Sequence, residues 1–263
     1  MKLKNNYHAH TLWCRHAFNT AEEMILEAIK NNYQIFGISE HVGYFGKNDA
    51  GQRLHNDEVF AYISEMKALK QKYSDKITIL TGFETEYLED EKSWYEKLYQ
   101  NKDVDYLILG NHFENQILDE QYYGITIKSP EKLKAYVDQA IKGMESGLFS
   151  ILAHPDLFML SYKEFDENAL IQSKRLIEAA IKNNVLLEVN INGLNMVSDP
   201  NNYHSWKYPN YNFWKLFSTY NHPCIINIDA HWKEMLSNEK FQDLVFDFCK
   251  KLNLKIVDKI KLK

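Results

Sequence analysis

Arginine, cysteine and chain breakers are scarce in this sequence. Of the 31 basic residues only Arg15, Arg53 and Arg175 carry a guanidinium, so the planar fork that grips phosphate with two bonds has few sources. The formal net charge is −5. That removes the global positive field that draws a protein onto nucleic acid or anionic lipid, and no long nucleic acid is expected as a partner. No run approaches the ~18 uninterrupted apolar residues of a spanning helix, and the start, Met1-Lys2-Leu3-Lys4-Asn5-Asn6, has no apolar stretch behind its lysines. No membrane association and a cytoplasmic location are expected. Cys14, Cys224 and Cys249 are odd in number and widely spaced, unlike a disulfide framework or a zinc knuckle, and read as reduced thiols. No Pro/Gly/Ser-rich linker divides the chain, and 45% of it is hydrophobic, so residues 1–263 read as one domain with a sizeable core.

Short apolar, β-branched runs alternate with longer amphipathic ones. Strands are expected at Lys4 to His8, Gln34 to Ser39, Ile77 to Gly82, Asp105 to Leu109, Phe149 to Ala153, Val185 to Ile191 and Cys224 to Ile228, with a fainter pattern at Leu254 to Val257. Helices are expected to start at Thr20, Asn56, Ser129-Pro130 and Asp166, where a side-chain oxygen can cap free amides and acids follow in the first turn. Seven or eight such units imply an α/β fold with parallel strands and crossover helices, and the count suits a barrel. An open doubly wound sheet is the alternative. It would carry a glycine-rich turn after the first strand, where His8-Ala9-His10 stands instead. Two long loops, 43–55 and 192–212, have the length of functional lids, or of plain surface insertions; the second carries Tyr203, Trp206, Tyr208 and Tyr211, rings that can stack on an imidazole or a nucleobase.

Seven of the ten histidines fall at or just past expected strand ends. His8 and His10 close the first strand with His16 soon after, His41 the second, His112 the fourth, His154 the fifth and His231 the last, while Glu84 ends the third and Asp229 accompanies His231. In an α/β barrel all those ends open onto one face, so the residues converge. Imidazole with carboxylate suits Zn, Mn or Fe, and one carboxylate can bridge two ions. A lone His-x-His means little; a potential ligand at the end of nearly every strand is far more than chance placement gives. The ligand count implies two or three ions.

Taken in order, His8-Ala9-His10 with Cys14-Arg15-His16-Ala17, Ser39-Glu40-His41, Gly82-Phe83-Glu84, Asn111-His112-Phe113, His154-Pro155-Asp156-Leu157 and Asp229-Ala230-His231 resemble the PHP (polymerase and histidinol phosphatase) superfamily, histidinol-phosphatase type. The resemblance implies a distorted (β/α)7 barrel and three divalent metal ions: one on His8, His10, Glu84 and Asp229, one on His16, His41 and His231, one on Glu84, His112 and His154. Glu40, Glu86 and Asp156 read as acceptors that orient imidazole N–H groups, and Cys14 as a buried thiol.

Such a site performs metal-assisted hydrolysis of a phosphate monoester by in-line attack of activated water, with Asp229, His231 and Glu84 the expected catalytic residues. The leaving oxygen takes its proton from Asp229 or a nearby histidine. L-Histidinol phosphate is the named candidate substrate. The resemblance also implies phosphate-gripping arginines after His-Pro-Asp and after the sixth strand. Leu157 to Lys163 and Gly193 to Met196 contain none, which leaves Arg15, Arg53, Lys163 and Asn195, with Lys207 nearby, as candidate substrate-binding residues. Hydrolysis of a nucleotide or another small phosphoester is the second reading. A non-catalytic, metal-stabilised regulatory module is the third, and it predicts missing ligands where none is missing.

Overall fold

The computed structural model describes residues 2–44, 51–113 and 121–262; positions 45–50 of the first long loop lie outside the described residues. Eight strands form one sheet in sequential order, every neighbouring pair parallel. They are β1 (Asn5–Asn6), β2 (Ile35–His41), β3 (Thr78–Thr85), β4 (Tyr106–Leu109), β5 (Ile151–Leu152), β6 (Leu186–Asn190), β7 (Pro223–Asn227) and β8 (Lys255–Val257). The helices are α1 (Ala21–Lys30), α2 (Val59–Lys72), α3 (Lys92–Gln100), α4 (Tyr123–Thr126), α5 (Pro130–Glu145), α6 (Glu167–Asn183), α7 (Tyr211–Ser218) and α8 (Glu239–Lys251). Three of the four expected caps act: Thr20 and Glu23 close a capping box, and Ser129 and Asp166 each accept an amide of the first turn; at the fourth, a 3-10 turn over Asn56–Glu58 precedes α2 and Asn56 turns its amide to Gly43 O instead. Among the described residues no helix is long and apolar enough to cross a membrane.

The faint eighth pattern is a true strand, so the sheet is eight-stranded where seven were expected. It pairs with β7 at the end opposite the histidines, Cys224 beside Ile256. At the other end the chain beyond β7 meets the chain beyond β1, Ala9 beside Ala230, with His10 N donating to Ala230 O at 2.8 Å. β1 is shorter than expected because amide side chains occupy its seam. Tyr7 N donates to Asn227 Oδ1 at 2.8 Å and Ile228 N to Asn6 Oδ1 at 2.7 Å, both where a strand would use main-chain carbonyls.

Two apolar regions flank the sheet. Tyr7, Tyr106, Ile108, Ile151, Ala153 and Ile225 fill its concave side, and a much larger cluster lies between strands and helices. Tyr106 explains two glycines. A Cβ on Gly37 or Gly82 would collide with the Tyr106 hydroxyl or ring, so both strand positions give up side chains to admit the phenol.

Candidate metal centre

The strands deliver their exits to one face. In the β2/β3 register His41 lies directly beside Glu84. At three other exits the chain turns through positive φ at non-glycine residues, Asn111 (53°), His154 (27°) and Asp229 (55°). Such backbone costs on the order of 1–3 kcal/mol per residue and persists only where its surroundings enforce it. Here it aims the site's side chains inward rather than along the strand.

The two oxygens of Glu84 divide the site between them. Oε2 lies 3.1 Å from His8 Nε2, 3.3 Å from His10 Nε2 and 3.3 Å from His41 Nδ1. Oε1 lies 3.2 Å from His154 Nε2 and 3.5 Å from His112 Nε2. Asp229 Oδ1 faces His8 and His10 at 3.4 and 3.3 Å, and His231 Nδ1 at 3.5 Å. Imidazole nitrogens also meet one another, His8 with His10 and His112 with His154 at 3.1 Å, and His16 with His231 at 3.0 Å. All nine expected positions therefore converge.

Several of these side chains are held from behind. Glu86 accepts from His112 Nδ1 at 2.8 Å and from His112 N at 2.6 Å. Cys14 O accepts from His16 Nδ1 at 2.9 Å, while the buried Cys14 thiol is pushed up by desolvation. Asn190 and Asn192 both donate to Asp229 Oδ2 at 3.1 Å, leaving Oδ1 to the site. Glu40 accepts from Thr11 at 2.6 Å and stands 4.0 Å from His10 Nδ1; burial pushes its carboxyl up to about 7. Asp156, also pushed up to about 7 by burial, accepts from Asn210 N and Trp214 Nε1 rather than from an imidazole.

One supporting residue escapes the sequence reading. Glu188, fully buried on β6, accepts from His8 Nδ1 at 2.9 Å. Its signal was an acid inside the run Leu186-Leu187-Glu188-Val189, where a solvent-facing carboxylate has no place.

Burial opposes charge on His8 and His10, yet the carboxylates win. His8 is raised well above the usual histidine value by Asp229, Glu188 and Glu84, and His10 to about 9 by Asp229 and Glu84. Burial and neighbouring imidazoles push His231 down to about 3 and His41 well below its usual value. Glu84, despite burial, is held well below the usual carboxylate range by His8, His112 and His41. The cluster thus attracts positive charge and contains imidazoles with free lone pairs.

A divalent cation fits this donor set. Atoms bound to one ion at ~2.0–2.2 Å stand roughly 3.0–3.6 Å apart, which is the spacing of the pairs above. Ligating atoms of His8, His10 and Asp229, of His10, His41 and His231, and of His41, Glu84 and His112 each fall within 4.8 Å of one another. His10 Nδ1, His41 Nδ1 and His154 Nδ1 are buried without a hydrogen-bond partner among the described residues.

Above the cluster opens a cavity of about 380 Å³, with Arg53, Asn195, Phe113, Tyr122, Tyr208 and Trp232 among its walls. Arg53 is buried, its guanidinium 5.5 and 5.8 Å from the Tyr44 and Phe113 ring centroids. Arg15 and Lys163 do not line the cavity. Arg15 turns to Glu58 Oε2 at 2.6 Å and to Arg53 O, and Lys163 is exposed elsewhere, as is Lys207. Of the aromatic loop only Tyr208 reaches the cavity; Trp206 is buried against Phe248, and Tyr203 and Tyr211 pack around His204.

The chain is similar to known proteins in sequence and in fold. Relatives include a probable histidinol-phosphatase of Schizosaccharomyces pombe, 26% identical over 85% of this chain and 79% of its own. The fold is shared with the histidinol phosphate phosphatase of Lactococcus lactis, complexed with Zn, L-histidinol and phosphate (TM-score 0.75, 16% identity, 99% of this chain and 100% of that one). It is shared as well with a putative histidinol phosphatase of Listeria monocytogenes (TM-score 0.70, 19% identity, 89% and 98%). The family model for the PHP domain matches residues 6–192, which takes in every candidate ligand except Asp229 and His231, and the chain belongs to that family.

Proposed function

We propose that the chain is a metal-dependent phosphomonoester hydrolase, with L-histidinol phosphate as substrate and three divalent ions, Zn, Mn or Fe, as cofactor. The observation that carries the reading is Glu84, whose two oxygens serve two separate sets of imidazoles at the floor of a cavity of substrate size. The names of the relatives and the zinc, L-histidinol and phosphate in the Lactococcus lactis protein support the substrate and the metal.

In this reading His8, His10, Glu84 and Asp229 hold one ion, His16, His41 and His231 a second, and Glu84, His112 and His154 a third. Bound divalent ions supply an acidified water and neutralise the phosphoryl oxygens during in-line displacement. The chain's own groups orient and enclose. Glu188 and Glu86 keep His8 and His112 presenting Nε2, and Asn190 and Asn192 hold Asp229 by one oxygen. Arg53 adds fixed positive charge beside the phosphoryl position, and Asn195 a polar group at the mouth. Residues 1–263 act as one domain. The three cysteines are free and buried, which suits a reducing, cytoplasmic setting.

Phosphate release from histidinol phosphate, nucleoside monophosphates and sugar phosphates by metal-reconstituted protein, with and without chelator, tests the proposal. A chelator-sensitive preference for histidinol phosphate is expected. Preference for another monoester would replace the substrate, and absence of turnover at full metal occupancy would overturn the activity.

A further inference from the structure

The cavity has one arginine among its described walls, yet it holds two phenols placed for donation. Tyr122 stands over His112, ring centroids 6.2 Å apart and 28° between planes, and Tyr208 meets His154 at 6.1 Å and 71°. They come from different segments, one just before α4 and the other just before α7, and each contacts one of the imidazole pair that faces Glu84 Oε1. Among the described residues neither hydroxyl has an oxygen or nitrogen acceptor. That of Tyr122 has no hydrogen-bond partner among the described residues, and that of Tyr208, a residue only 3% exposed, has only the Met196 thioether at 4.0 Å, a weak acceptor.

The positions are enforced. Tyr208 is carried by a segment whose Asn210 N is held by Asp156, and its carbonyl lies so close to Gly193 that a Cβ there would collide with it. Tyr122 is fixed by a bridge to Phe113 and by Tyr123 N donating to His112 O at 2.7 Å.

We infer that Tyr122 and Tyr208 donate their hydroxyl protons in hydrogen bonds to the phosphoryl oxygens of the substrate, in the place of a second and third arginine. The inference rests on the phosphatase reading and names residues that complete its substrate site.

The test uses Tyr122→Phe, Tyr208→Phe and the double variant, which keep the rings and remove only the hydroxyls. KM for the preferred ester and the thermal shift that inorganic phosphate gives the metal-loaded protein are both read. Each single variant is expected to weaken ester and phosphate binding about tenfold, as for loss of one hydrogen bond to a charged group, with metal content unchanged. Wild-type KM and phosphate response in all three variants would overturn the inference. So would loss of metal in the phenylalanine variants, since the hydroxyls would then serve the metal centre rather than the phosphoryl group. If the wild-type protein neither turns over an ester nor responds to phosphate, the phosphatase reading itself falls, a result distinct from failure of the variants alone.

Discussion

Glu188 and His8 lie 180 positions apart in the chain and 2.9 Å apart in space, carboxylate Oε1 to imidazole Nδ1. The same carboxylate also accepts from Asn227 Nδ2, Asn190 Nδ2 and His154 N. Four donors converge on two oxygens. Glu188→Gln would set an NH₂ group against such donors, so metal affinity is expected to fall about 10- to 100-fold, as for other partners of ligating histidines. Metal titration followed by circular dichroism checks this; unchanged affinity would remove Glu188 from the support of His8.

Glu84→Gln should abolish nearly all turnover and lower the bound metal by more than one ion. The substitution halves the acceptor capacity of a side chain that faces five imidazoles. Elemental analysis of the purified variant beside its kcat decides the matter, and a full complement of metal would remove the bridging role.

Arginine substitutions should separate cleanly. Arg53→Ala is expected to raise KM about tenfold, the size of a lost charge-assisted hydrogen bond, because Arg53 lines the cavity. Arg15→Ala should leave KM unchanged, since its guanidinium pairs with Glu58. Equal effects of the two on KM would mean that this difference in placement has no bearing on substrate.

Chelation should lower thermal stability. Removing an ion held at ~100 times its Kd withdraws about 2.7 kcal/mol per site, equivalent to roughly 5–10 °C in Tm for each site in a chain of this size. Differential scanning calorimetry with chelator, then with added Zn or Mn, gives the shift; a Tm indifferent to both would speak against any bound metal.

Away from the site, Gly82→Ala should cost about 1–3 kcal/mol by overpacking, because its Cβ would collide with the Tyr106 ring. Denaturant midpoints measure the loss, and pairing Gly82→Ala with Tyr106→Leu should recover part of it.

The strand exits were readable because alternating patterns mark where strands stop and the barrel rule says that those ends share a face. His8, Glu84 and His231 could be assigned to one pocket on that basis without any knowledge of distances. Glu188 could not, since nothing local distinguishes a buried carboxylate with four donors from a misplaced polar residue in a strand. Arg15 was hidden for the complementary reason: its choice of Glu58 depends on how two loops 43 residues apart are folded together. The eighth strand was faint because it is three residues long and part-exposed, and β1 was overestimated because Asn6 and Asn227 do with side chains what the pattern assigns to main chain.

The seam of asparagines ties the beginning of the described chain to its last third, Asn6 to Ile228 across 222 positions. Contacts so distant in sequence are costly to close and slow to form. His8 and His10 therefore stay apart from Asp229 and His231 until β7 has joined the sheet. Binding competence is in this sense a certificate of completion: a chain that has not reached its seventh strand lacks Asp229 and His231, and neither the His8, His10 and Asp229 set nor the His10, His41 and His231 set is whole.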